Sequence, residues 1–224
     1  MEGRGFFAIK QKMETFFDKK NGIAVAATSF LLVKNTVCQV KHEEKDGYNA
    51  YQVVFPAPNV RKKKNACWKG HLESNKVSLS SPEKAYLLRE VRWNEIFSES
   101  VLSAGDNLPV SEILKVGSRV DVISRSKGKG FEGRIKAHKH HRGPSSHGSG
   151  HHKQVGSTGA IAPNRVFKNQ KLPKRSGNER VTSPNIQVLS VDLKNNTFLL
   201  QGSVAGNRKQ VIFVRKSIRD KKGK

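Results

Sequence analysis

Hydrophobic positions in this chain come in short runs broken by polar turn signals, a spacing that predicts strands rather than helices. A small apolar run at 23–28 follows the turn signal Asp18-Lys19-Lys20-Asn21-Gly22, and runs at 30–33 and 37–40 flank Lys34-Asn35-Thr36. Lys45-Asp46-Gly47 predicts a tight turn into the apolar stretch 51–55, as antiparallel hairpins require. Residues 56–69 break the pattern with two prolines and the basic run 61–64, and read as a loop or insertion. Ser81-Pro82-Glu83 has the order of a helix start, Pro following a Ser cap. A strand over 87–93 follows, with Leu87, Arg89, Val91 and Trp93 on one face. Alternation at 116–123 gives a further strand. After a long polar interval, strands are expected at 186–191, 197–201 and 211–214, the first two joined by a turn at 192–196. The class is mainly β, and short strands at this spacing favour a small antiparallel barrel over a parallel sheet.

The polar interval changes the picture. From Arg125 to Arg180 there are fourteen Lys or Arg, nine glycines and six of the eight histidines, against two acids, Glu132 and Glu179. From His138 to Gly159 the only sizeable apolar side chain is Val155. Such a segment cannot offset its ordering entropy by apolar burial, so it is either a solvated linker or, if it has a fixed shape, one that a polyanion supplies. Residues 1–124 and 181–214 are therefore read as a β-barrel body with insertions, 125–180 as an extended arm, and 215–224 as a frayed basic tail.

A formal charge of +24 and a pI near 10.3 favour anionic partners. No run approaches the ~18 apolar residues of a membrane span, no long basic amphipathic helix is evident, and the opening residues lack a secretory signal. Cys38 and Cys67 sit in unrelated contexts and are expected to be free thiols in a reducing compartment.

Nucleic-acid contacts are assigned first to Arg61, Lys62, Lys63 and Lys64, and to Lys127, Lys129, Arg134 and Lys136 around three glycines that let backbone approach RNA closely. Along the arm they continue through His138, Lys139, His140, His141, Arg142, His147, His151, His152 and Lys153. Arg165, Lys168, Lys171, Lys174, Arg175, Asn178 and Arg180 complete the set. Phe131 either stacks on an unpaired base or packs into the barrel, and its flanking glycines favour packing. Glu179, a lone acid among cations, is expected to orient Arg180 or cap a turn at a hinge where the arm rejoins the barrel. The histidines could in principle hold zinc, but structural zinc sites pair Cys with His at closer spacing, and no metal or other cofactor is assigned. Gly128-x-Gly130-x-x-Gly133 matches a dinucleotide fingerprint formally, yet no helix or βαβ unit is expected after it. No carboxylates are arranged for acid–base work, so the chain is read as a non-enzyme with no small-molecule substrate and no membrane partner.

Ser126-Lys-Gly-Lys-Gly-Phe-Glu-Gly133, Gly156-Ser-Thr-Gly159, Pro163, Arg165-Val-Phe-Lys168 and Gly177-Asn-Glu-Arg-Val-Thr182 stand in an order and spacing that resembles the bacterial-type family of the third large-subunit ribosomal protein. Lys45-Asp-Gly-Tyr-Asn-Ala50 and Gly202-Ser-Val204 agree, and the resemblance spans essentially the whole chain, weakest over 56–115. It implies a six-stranded, translation-protein-like barrel seated on large-subunit rRNA near its 3′ end, with an extension running toward the peptidyl transferase centre. It further implies early assembly, no chemistry, and the fourteenth and nineteenth large-subunit proteins as neighbours. Location in the large ribosomal subunit, in a bacterium or an organelle, follows from the same resemblance. The sequence departs from the pattern at Ala8, Ile9, Lys12 and Glu14, at Leu172-Pro-Lys174, and at Ala160-Ile-Ala162, where some relatives carry a methylated Gln. The rival readings are an rRNA-binding assembly factor that does not stay in the ribosome, and a metal enzyme built on the histidines.

Overall fold

The computed structural model describes residues 5–18, 22–58, 66–75, 86–92 and 102–219. These divide into two compact units, one of residues 1–124 with 180–224 and the other of residues 125–179.

In the first unit, β1 (Gly5–Asp18), β2 (Ile23–Leu32), β3 (Thr36–Lys41), α1 (Glu43–Asp46) and β4 (Ala50–Pro56) are followed by α2 (Ala66–Ser74) and β5 (Tyr86–Arg92). Then come α3 (Val110–Ile113) and β6 (Arg119–Arg125). After the second unit the chain returns as β9 (Arg180–Asp192), β10 (Thr197–Gln201) and β11 (Val211–Lys216). Six strands close a barrel in the order β1-β11-β6-β9-β10-β2. Antiparallel registers such as Phe7↔Phe213, Phe213↔Ile123 and Phe198↔Phe30 set which side chains point inward.

Strand periodicity explains the two clusters that flank the barrel wall. Phe6 and Ala8 of β1, Val120 and Val122 of β6, and Ile212 and Val214 of β11 point inside with Phe30, Val188, Phe198 and Leu200. The Phe30 and Phe198 rings stack at 5.1 Å, and Phe6 meets Phe198 edge-on at 6.0 Å. The intervening positions Phe7 and Phe213 point outward, where Val37, Tyr51, Val53, Phe55 and Val91 of the three-stranded sheet β3-β4-β5 cover them. Cys38, Val54 and Tyr86 on the sheet's far side pack with Leu72 of α2. Buried Asn35 ties sheet to barrel by imitating a strand: its Nδ2 donates to Phe7 O at 2.9 Å, and its Oδ1 accepts from Phe7 N at 3.0 Å.

Several local expectations need correction. The run 23–28 and most of the run 30–33 form one continuous strand that passes through Ser29 and ends at Leu32, the Ser29 hydroxyl donating to Lys12 O across a bulge in β1. The first strand, Gly5–Asp18, was not expected at all. The turn at Lys45-Asp46-Gly47 is a helical turn, closed by Gly47 in the left-handed conformation at φ 77° with its N–H on Glu43 O. Part of the anticipated 56–69 loop is helix from Ala66 onward. Val116 is exposed and the strand starts only at Arg119, because Gly117, at φ 84°, turns the chain between them. The last strand runs on through Arg215 and Lys216, and Ser217 N donates to Arg119 O at 3.1 Å, so the tail's first residues are not frayed. The helix start at 81–83 and Trp93 lie outside the described residues. Cys38 is buried and Cys67 exposed, both as free thiols; burial pushes the Cys38 thiol up from its usual pKa.

Candidate RNA interface

None of residues 125–179 is buried. Every buried apolar side chain described belongs to the barrel unit. The second unit is held instead by backbone pairing, close glycine contacts and polar side chains.

At its neck, Ser126 N donates to Glu179 O at 2.9 Å, and Glu179 N donates to Ser126 Oγ at 3.2 Å. Glu179 thus serves the hinge through its backbone. Lys129 N donates to Ser176 O at 2.9 Å, leading into a two-stranded ribbon of β7 (Gly130–Glu132) and β8 (Lys174–Ser176), with Phe131 opposite Arg175. Gly177 is indispensable here: it sits at φ +74°, and a Cβ would lie 2.1 Å from Lys127 O. Further out, a Cβ on Gly143 would lie 2.0 Å from His151 O, so only glycine permits the Gly143 N–H to reach His152 O at 2.9 Å.

A short helix, α4 (Arg134–His138), follows the ribbon and ends at Lys139 in the left-handed conformation. This corrects the expectation that no helix follows Gly133. The dinucleotide reading still fails, because β7 pairs antiparallel with β8 in a ribbon and opens no parallel βαβ unit. Arg134 reaches His140 Nδ1 from Nε at 3.0 Å and from Nη2 at 2.7 Å. A guanidinium can only donate, so Nδ1 is the acceptor and the neutral ring carries its proton on Nε2. Desolvation, the Arg134 charge and then Lys171, His138 and His141 hold His140 below its ordinary pKa. His138 Nε2 donates to Leu172 O at 3.0 Å, and His152 Nδ1 to Pro144 O at 2.7 Å. These histidines brace the backbone, and among the described residues no group of three metal-ligating side chains comes together.

Lys127, Lys129, Lys136, Lys139, His141, Arg142, His147, His151, His152, Lys153, Arg165, Lys168, Lys171, Lys174, Arg175, Asn178 and Arg180 are exposed. Arg134, His138 and His140 are half-buried in their own polar network. Arg61, Lys62, Lys63 and Lys64 lie outside the described residues. Among the described residues, the ion pairs Lys12–Glu14, Lys41–Glu90 and Arg215–Asp121 all belong to the barrel unit. The arm's cations therefore present an unneutralised surface, whose repulsion a polyanion would relieve.

A model of the family described as Ribosomal protein L3 matches residues 94–197. The large ribosomal subunit protein uL3 of Heliobacterium modesticaldum is 39% identical over 222 residues, covering 99% of this chain and 100% of its own length. That of Geobacillus stearothermophilus is 38% identical over 218 residues, 97% of each chain. This chain belongs to the ribosomal protein L3 family. The L3 family is structural and does no enzymatic chemistry.

Within this L3-family arm the apolar side chains of Phe131, Ile161 and Phe167 stand exposed or half-exposed. Phe131 is 72% exposed, not packed in a core: its strand is a solvated ribbon with no second layer to receive the ring. Ile161 is 93% exposed, and Phe167 is half-exposed beneath the Arg165 guanidinium at 5.2 Å. Neither is among the contacts expected from the sequence, which are cationic side chains, histidines and Asn178. The signal was the placement of single apolar residues among glycines and cations with no apolar neighbours to share a core.

Proposed function

We propose that this chain is a structural constituent of the large ribosomal subunit that binds large-subunit rRNA chiefly through residues 125–180 and supports early subunit assembly. The observation that carries the reading is a unit of residues 125–179 with no buried side chain, a cationic surface and single exposed apolar residues. A thin segment of this kind suits folded RNA, where phosphates, 2′-hydroxyls and splayed bases are reached along narrow channels. Exposed Phe131 and Phe167 supply faces for unstacked bases, and the lysines and arginines supply phosphate contacts. Family membership supports placing the arm toward the peptidyl transferase centre, with the fourteenth and nineteenth large-subunit proteins as neighbours. The same membership supports location in the large subunit.

Sedimentation of host ribosomes through a high-salt sucrose gradient tests residence. The chain should stay with the mature large subunit; release into the top fractions would identify an assembly factor instead. Deleting residues 138–159 should leave a folded barrel and produce immature or catalytically impaired subunits.

A further inference from the structure

A second basic feature lies wholly within the barrel unit. Phe7, Ile123 and Phe213 of the barrel wall, Arg180 at the start of β9, Arg215 of β11 and the strand 89–92 line a groove of about 610 Å³. That volume falls within the ~300–1,000 Å³ typical of small-ligand sites. Its floor carries the half-buried Phe213 ring, which packs at 5.1 Å on Phe7, itself buried and stacked on Phe55 at 4.5 Å, and which lies so close over Gly5 that a Cβ there would come within 2.2 Å of it. Its rim carries four arginines and one carboxylate, Glu90. Glu90 is already committed, accepting from Lys41 Nζ and from Tyr48 Oη at 2.9 Å each. Arg89 and Arg180 are exposed, and Arg92 stands over the Tyr48 ring at 5.3 Å.

Arg215 is the decisive residue. Its side chain is only 18% exposed, and its Nη2 touches Asp121 Oδ2 at a long 3.5 Å. Asp121 also accepts from Asn185 N at 2.9 Å and from Ile218 N at 3.5 Å, so it is shared three ways. The Arg215 Nε–H is buried without an acceptor. A buried donor on a cation is costly to leave unpaired, and a bound anion would satisfy it.

We propose that this groove binds one unpaired nucleotide of RNA, its phosphate held by Arg215 with Arg89 and Arg180, and its base laid against the half-buried Phe213 ring. Planar guanidiniums match phosphate oxygens bidentately, and an aromatic floor accepts any base without reading its edge. An acidic peptide would use the charge but leave the aromatic floor without a planar partner, so RNA is the better match. The inference rests on the rRNA-binding reading above and extends it, from Arg180, which both use, to a groove within the barrel unit.

The test uses the full-length chain and a single-stranded oligouridylate as probe, with affinity followed across a salt series. Arg89→Ala together with Arg92→Ala touches only the exposed rim. Each lost phosphate contact on single strands removes about 0.7 from the slope of log affinity against log salt. A single phosphate is held, so both the Arg89 change and the double change should lower it by at most about 0.7, with a several-fold loss of affinity. Arg215→Lys keeps the charge beside Asp121 but removes the fork, and should weaken the probe at least as much. Ultraviolet cross-linking of the wild-type complex should yield an adduct on the peptide bearing Phe213. Unchanged slopes in both variants, with cross-links confined to the arm, would overturn the groove while leaving the arm's role standing. Wild-type protein that binds the probe with no salt dependence would instead overturn the wider rRNA reading. Oligoglutamate binding that the rim variants abolish while oligouridylate binding persists would assign the groove to an acidic peptide, against the proposal.

Discussion

In β10 and β11 every second side chain is buried: Phe198, Leu200, Ile212 and Val214 each expose 1% or less. In residues 125–179 no side chain is buried, and the chain is shaped by glycines, by asparagines at positive φ such as Asn164, Asn169 and Asn178, and by histidines hydrogen-bonded to carbonyls. The barrel derives its free energy of ordering from water release, whereas the arm is held by backbone pairing and polar contacts and, on the rRNA-binding reading proposed above, takes the rest from its partner. Substitutions should therefore separate cleanly into those that unfold the protein and those that only detach it from RNA.

The largest effect should come from Phe198→Ala. Removing a ring stacked on Phe30 and touching Phe6 should cost about 3–5 kcal/mol. That is a large share of the ~5–15 kcal/mol typical of a domain, so chemical denaturation should show a sharply lowered midpoint. Deletion of 138–159, by contrast, should leave the midpoint unchanged. If both fall together, the two-unit comparison is broken. Next, Lys127→Gln, Lys129→Gln and Lys136→Gln combined should lower the salt slope of RNA binding by about 2 with no change in melting, since each contributes about 0.7.

A smaller, local effect is expected from Gly177→Ala, where left-handed backbone and a 2.1 Å approach to Lys127 O coincide. Strain of about 1–3 kcal/mol should open the neck, read as faster amide exchange at Ser126, Lys129 and Glu179 while barrel amides stay protected. The mildest test concerns His140. Its pKa is held below the ordinary 6.5 in the free chain, so the unfolded arm binds more protons as pH falls below that value. The Arg134–His140 bracket should thus be intact above pH 6.5 and lost as pH falls through the folded value. Adding RNA should move the His140 titration upward, because phosphate favours the imidazolium. An NMR titration with and without oligonucleotide reads both; a downward move on binding would mean that phosphate does not approach this ring.

Much of this contrast was legible in the residues. Strand 197–201 and its turn were readable because Asp192 and Asn195–Asn196 punctuate two apolar runs, and the structure shows Asp192 accepting from Lys194 and Asn195 N–H groups. The arm's extent was readable from the collapse in apolar content. What stayed hidden depends on tertiary context. β1 carries Lys10, Gln11, Lys12 and Glu14 within its length, and only pairing with β2 and β11 makes it a strand. Phe131 looks like a core residue by type, and only the absence of a second layer over β7 exposes it. The arginine groove was unreadable, because Arg89, Arg180 and Arg215 come from three separate strands.

The position of β11 has a consequence for biogenesis. It fills the gap between β1 and β6, yet it follows the whole arm in sequence. During synthesis the ring of strands stays open until well after the cationic segment has left the exit tunnel. A nascent chain of this order presents its cationic segment before its barrel can close, and a vacant seam between β1 and β6 invites mispairing until the final strand arrives.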